Sequence, residues 1–257
     1  MLRRSFVNEV GARVTGKFFL PSDSARERKR ECRNECECEG VHARSVQRAR
    51  VRYPSSMSTA KDLTKTDRRI FVTADNHFGH TDALTWYGRE YASVDAMDTA
   101  MIDAINAAVD AQDILIHLGD FFVKGGGRNW DSADIKRAQE YRERIACKRL
   151  HLIQGNHDPR GEKKFDALFE SVDEIVTAKG IAGVAERVVL FHYPLEQWQG
   201  RPTGAFHLHG HVHGFGTTVA RRHDCGIDAK ENGCTPMRFD ALIGHLRESP
   251  PSGFVRT

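Results

Sequence analysis

The pattern of apolar and polar positions changes character near residue 67. Up to about residue 66 there is neither a period-2 nor a period-3.6 apolar repeat, and the segment contains the charged run Arg26-Glu27-Arg28-Lys29-Arg30-Glu31. Such a segment cannot bury enough apolar surface to offset its ordering entropy, so residues 1–66 are expected to be a disordered extension. Met57, followed by Ser58-Thr59-Ala60-Lys61, stands just ahead of the first patterned run. This predicts a translation start at Met57, with residues 1–56 an upstream misreading or a dispensable extension. Residues 67–257 are expected to form one domain, which at this length can bury a real core.

Within that domain Ile70-Phe71-Val72-Thr73 reads as a buried strand. Ser93 is placed to cap a helix running to about Val109, with Val94, Met97, Met101, Ile105 and Ala108 on one face. A strand over 113–119, a helix over 133–145 and a strand over 149–154 complete a β-α-β-α-β opening. After a short helix near 163–169 the elements become mostly strands, at 172–177, 186–192, 205–210 and 223–227, before a last helix over 239–246. The order predicts a mixed-sheet α/β domain, not a simple parallel doubly wound one.

Composition narrows the class. The chain is 28% charged and 40% hydrophobic, and its uncharged apolar runs fall far short of the roughly 18 residues a membrane span needs. The N-terminal apolar residues are interrupted by Glu9, Arg13 and Lys17, so no signal-peptide core forms. A cytoplasmic protein with no membrane partner is therefore expected. The net charge of +3 is uneven: residues 1–66 carry 15 basic and 8 acidic side chains, leaving the rest slightly acidic. A nucleic-acid tether would thus reside in the extension alone. The six cysteines show no framework spacing and are expected to be reduced, and Cys32, Cys36 and Cys38 lack a fourth ligand for zinc.

The candidate chemistry lies at strand ends, where α/β sheets gather ligands. Asp75 and His77, two apart, can point to one side and grip one cation. Asp120, after Gly119, can bridge two ions or serve as a turn residue. Asn156 offers a neutral amide oxygen and His157 can face a substrate, although Gly155-Asn156-His157-Asp158 also reads as a turn and helix cap. His192 alone is equally a ligand or a core histidine. His207, His209, His211 and His213 alternate with period 2, and since unpaired imidazoles are costly to bury, at least two are expected to bind metal.

Taken in order, Asp75-Asn76-His77-Phe78-Gly79-His80, His117-Leu118-Gly119-Asp120-Phe121, Gly155-Asn156-His157-Asp158, His192-Tyr193-Pro194-Leu195 and His207-Leu208-His209-Gly210-His211-Val212-His213 resemble the calcineurin-like metallophosphoesterase superfamily. The likeness covers residues 69 to about 246 and is greatest to its small single-domain bacterial and phage-type branch. It implies a mixed β-sandwich flanked by helices, a four-layer αββα arrangement. It also implies that Asp75, His77 and His213 hold one metal, that Asn156, His192 and His211 hold a second, and that Asp120 bridges them.

Oxygen and imidazole donors suit Mn²⁺ first, with Fe or Zn²⁺ as alternatives. The expected activity is hydrolysis of a phosphomonoester or phosphodiester by a metal-bridging hydroxide, with His157 protonating the leaving oxygen. Nucleic acid is among the possible substrates. The competing readings are an inactive metal-binding scaffold and a nucleic-acid-tethered binding protein.

Around this set, Asn76 is expected to bond local backbone, Asp158 to cap the following helix, His209 to orient a ligand, and His117 and His207 to be structural. Cys225 in Asp224-Cys225-Gly226-Ile227-Asp228 is expected to be a buried apolar residue. His80 has a substrate-contact and a structural reading. Lys124 and Arg128 flank the Gly125-Gly126-Gly127 loop, where they either close over an anionic substrate or stay solvated.

Overall fold

The computed structural model describes residues 57–125 and 129–251, with the side chains of 57 and 58 left out of account. Strands β1 (Ile70–Thr73), β2 (Ile114–His117), β3 (Arg149–Ile153) and β4 (Ser171–Asp173) run parallel in one sheet. The two-residue β9 (Met237–Arg238) adds antiparallel to β1, giving the order β4-β3-β2-β1-β9. The second sheet has the order β5-β6-β7-β8, from Ile175–Lys179, Arg187–Phe191, Phe206–His209 and Arg222–Asp224. In it β5 is antiparallel to β6, and the remaining pairs are parallel.

Period-2 alternation sorts the side chains into layers. Ile70, Val72, Ile114, Ile116 and Ile153 meet Val176, Val188, Leu190, Phe206 and Leu208 between the sheets. Phe71, Leu115, Leu150 and Leu152 face the other way, against helix α3 (Val94–Ala108) through Met97, Met101, Ile102 and Ile105, and against α4 (Ser132–Arg144) through Ile135 and Ala138. The outer face of the second sheet carries Val189, covered by Trp198 and Ala205. The expected mixed sandwich flanked by helices is therefore present.

Local chemistry explains the helix starts. Ser93 accepts a hydrogen bond from the Ala96 amide at the head of α3. Asp131 and Asp134 form a reciprocal capping box on α4. The one-turn helices α2 (Ala83–Trp86) and α5 (Lys163–Asp166) and the final α6 (Phe239–Arg247) complete the set. None of the helices among the described residues is long and apolar enough to cross a membrane.

Two expectations need correction. The run 172–177 is two strands: β4 and β5 belong to different sheets, and the chain crosses between them at Glu174. The disorder expected through residue 66 fails over α1 (Met57–Thr64), where Leu63 enters the inter-sheet core and Thr59 bonds Ser171 and Asp173. The expectations for residues 1–56, including the Cys32, Cys36 and Cys38 reading, lie outside the described residues.

Leu63 is wholly buried, so Leu63→Ala is expected to lower the unfolding free energy by about 2–5 kcal/mol in urea denaturation. A loss under about 0.5 kcal/mol would show that α1 adds nothing to the domain.

Candidate metal centre

Five strand ends meet at one place. Asp75 and His77 follow β1, Asp120 follows β2, Asn156 and His157 follow β3, His192 follows β6, and His211 and His213 follow β7. An Ala74–Gly226 bridge links the ends of the two sheets beside them. The backbone there is unusual: Asp75, His77, Asp120, His211 and His213 all sit in the left-handed region, with φ of 60°, 52°, 57°, 75° and 48°. Each such non-glycine residue costs on the order of 1 kcal/mol, so surrounding bonds must hold it.

Those bonds are present. Both carboxylate oxygens of Asp75 accept from the His211 amide, at 3.1 and 2.9 Å. Asp120 Oδ1 accepts from the His157 amide at 2.8 Å. Asp158 does not cap the following helix, whose cap is Glu162. Instead its carboxylate accepts from the amides of Asp120, Phe121 and Gly155, tying the β2 turn to the β3 turn.

The chain closes tightly enough that a Cβ at Gly155 would lie 2.2 Å from Asp120 Oδ1, and one at Gly210 2.7 Å from Asp75 Oδ2. Glycine is required at both positions for this close approach.

Three groups, each with donor atoms within 4.8 Å of one another, are brought together: Asp75, His77 and His213; His77, Asp120 and His157; and Asp120, His192 and His211. They interlock through His77 and Asp120. Asp120 Oδ2 lies 3.5 Å from His77 Nε2 and 3.4 Å from His192 Nε2. Asn156 is largely exposed, and its Oδ1 is 3.0 Å from His192 Nε2.

The imidazoles are oriented for ligation. His192 donates from Nδ1 to the Leu118 carbonyl and His213 from Nδ1 to Asp228, which turns Nε2 of His192 toward Asn156 and Asp120 inside the cluster and leaves Nε2 of His213 for a ligand. His77 is fully buried with neither ring nitrogen hydrogen-bonded.

Electrostatics point the same way. Burial, with the adjacent charge of Asp120, pushes Asp75 well above the carboxylate range despite relief from His192. Burial also drives His77 down to about 2, keeping it neutral. For His192, burial is outweighed by Asp120 and Asp75, which raise it to about 9. Burial likewise acts upward on Asp120, yet His192 and His77 hold it below its ordinary value. Two buried carboxylates thus lean on one imidazolium for countercharge. A site of carboxylate and amide oxygens with imidazole nitrogens and no thiolate fits divalent cations.

Sequence reasoning missed the support around His213. Arg89 is buried and pairs with Asp228 through Nε and Nη2 at 2.9 and 2.8 Å, while also donating to the carbonyls of Asp75 and Asn76. Tyr87 stacks on His213 with ring centroids 3.6 Å apart. Asp228 ends a strand-like run, which was a usable signal; Arg89, 139 positions away, gave none.

The Asn76 side chain bonds His117 Nε2 at 2.8 Å, not local backbone, because both lie in the buried layer beneath the site. His207 is structural, bonded to Val189 and Tyr193 carbonyls and the Leu195 amide. His209 Nδ1 bonds the Gly210 carbonyl. Cys225 is buried, as expected. His80 lies beside His77 and His157, and Lys124 is half-buried in the loop after Phe122. Arg128 lies outside the described residues.

The two-sheet α/β sandwich gathers at its strand ends a cluster of oxygen and imidazole groups that could hold metal ions. The family model for calcineurin-like phosphoesterases matches residues 68–229, and the chain belongs to that family.

Over 96 residues it is 30% identical to an uncharacterised protein of Methanocaldococcus jannaschii, covering 37% of this chain and 50% of the other. The chain therefore spans about half the length of that relative. A solved protein of unknown function from Aquifex aeolicus shares 19% identity at a TM-score of 0.49, over 70% of this chain and 100% of that one. A Pseudomonas putida nuclease shares 23% identity at a TM-score of 0.34, over 56% and 61%.

Asp228→Asn is expected to weaken divalent-metal affinity about 10–100-fold in calorimetric titration, because His213 loses its orienting carboxylate. Unchanged affinity would remove Asp228 from support of the centre.

Proposed function

We propose that the protein hydrolyses a phosphomonoester or phosphodiester at a centre of two divalent ions, Mn²⁺ first, with Fe or Zn²⁺ as alternatives. The supporting observation is the interlocked donor set, in which Asp120 and His77 are each shared by two groups. Asp75, His77 and His213 would hold one ion and Asn156, His192 and His211 the other, with Asp120 between them. When bound, such a pair of ions supplies Lewis acidity for the phosphoryl group and makes a shared water nucleophilic at neutral pH.

The chain's own contribution is positional and protic. The fully buried floor of Asp75, His77 and His192 keeps bulk water from the donors and holds them without rearrangement. His157, half-buried with its ring 5.0 Å from that of His77, would donate a proton to the leaving oxygen as the ester P–O bond breaks. The hydrogen bond its backbone amide donates to Asp120 ties the proposed proton donor to the carboxylate that would lie between the ions. His80 completes the substrate side; Lys124 and Arg128 are candidate contacts for the anion.

The test is turnover of nitrophenyl phosphate mono- and diesters with added Mn²⁺. His157→Ala is expected to lower kcat about 10²–10⁴-fold with metal content intact. Asp120→Asn should lower both turnover and metal content. Two bound metals with no turnover of either ester would favour the inactive scaffold, and wild-type rates for Asp120→Asn would remove it from the bridge.

A further inference from the structure

We infer that the one-turn helix α2 presents Trp86 as a stacking platform for the aromatic base of a nucleoside phosphoester, so that the leaving side of the substrate is a nucleoside. This rests on the phosphoesterase reading above and specifies its substrate class. Among the described residues three large apolar side chains are exposed: Trp86, Ile175 and Phe215. Trp86, 62% exposed, is joined to the metal centre by ring contacts. Its indole meets the His80 ring edge-on at 5.2 Å, and His80 lies 5.6 Å from His77 and 6.2 Å from His157. The indole is thus one imidazole away from both a shared donor residue and the group proposed to protonate the leaving oxygen.

His80 between them is about nine-tenths buried, and its Nδ1 has no hydrogen-bond partner. A nucleoside phosphoester has three parts in this same sequence: phosphoryl group, hydroxylated sugar, aromatic base. With the phosphoryl group at the donor cluster, the sugar would span the His80 ring and the base would meet the exposed indole. The polar neighbours Thr81, Asp82 and Thr85 are exposed, so the indole forms a single flat π face with a polar rim. That suits one base better than an extended apolar partner.

The platform is also fixed in advance. The Trp86 amide donates to Asp82 and that of Tyr87 to Ala83, which is buried. Tyr87 is held on His213 and Arg89 on Asp228. Little backbone freedom is left to lose when a base stacks.

The experiment uses the full chain loaded with Mn²⁺ and reads binding and turnover separately. Binding is followed by tryptophan fluorescence for adenosine monophosphate against ribose 5-phosphate, and for a dinucleotide against its abasic counterpart. The base-bearing ligand of at least one pair is expected to bind roughly tenfold or more tightly and to quench emission, as loss of one base–aromatic stack implies. Trp86→Ala should abolish that advantage and Trp86→Phe retain most of it. The pair with the larger advantage tells a free nucleotide from a polynucleotide.

Equal binding of base-bearing and base-free ligands, or an advantage that survives Trp86→Ala, would overturn the inference. Binding is read without turnover, so a base preference with no hydrolysis would sink the phosphoesterase reading alone. Hydrolysis without base preference would sink only the Trp86 assignment.

Discussion

Two carboxylates share one buried chamber, and most of the unusual structure follows from the cost of that arrangement. Asp75 is wholly buried and Asp120 1% exposed, and the charge of Asp120 adds to burial in raising the proton affinity of Asp75. Removing such groups from water costs several kcal/mol each unless countercharge and hydrogen bonds are supplied. The chain supplies amides first: His211 to Asp75 and His157 to Asp120. Directing these amides inward forces the backbone into the left-handed region at Asp75, Asp120 and His211. It also brings strands so close that only glycine fits at 155 and 210. His192 then provides the positive charge that the chain itself can offer. Divalent cations would supply the rest, which is why the geometry reads as metal-binding and not as an ordinary polar core.

The histidines divide according to what the protein does with each nitrogen. His207 has both nitrogens engaged by backbone, and His117 gives Nε2 to Asn76 and Nδ1 to the Gly119 amide, so both are internal structural groups. His213 commits Nδ1 alone, His192 commits Nδ1 to backbone and Nε2 only to Asn156 and Asp120 within the cluster, and His77 commits neither. This distinction follows from bonding, not from burial, since His77, His117, His192 and His207 are all fully buried.

The same distinction marks how far the sequence was legible. Asp-x-His, Gly-Asp, Gly-Asn-His and the alternating histidines were readable because each group sits at the end of an apolar strand a few residues long. The alternation could not say which histidines converge: β7 ends at His209, and the chain then turns left-handed at His211. Arg89 and Asp228 escaped notice because their pairing is long-range and neither motif implies the other. The break at Glu174 was hidden because a strand changing sheets keeps its apolar pattern. The two residues of β9 were too few to show any periodicity, and the eight of α1 too few to outweigh the unpatterned segment before them.

Rigidity and exposure also separate the chemistry from the choice of substrate. The donor cluster is held by two sheets, by Asp158 and by the Arg89–Asp228 pair, so small changes there would disturb every group at once. The helix α2 is a single turn with an exposed outer side, and it joins the cluster through His80, His213 and Arg89. Its outward side chains can change without altering the strand ends. On this division the proposed phosphoryl chemistry would belong to the sandwich, and the proposed choice of leaving group to the segment carrying Trp86. A rigid core with variable loops lets one fold keep its reaction while its substrates differ.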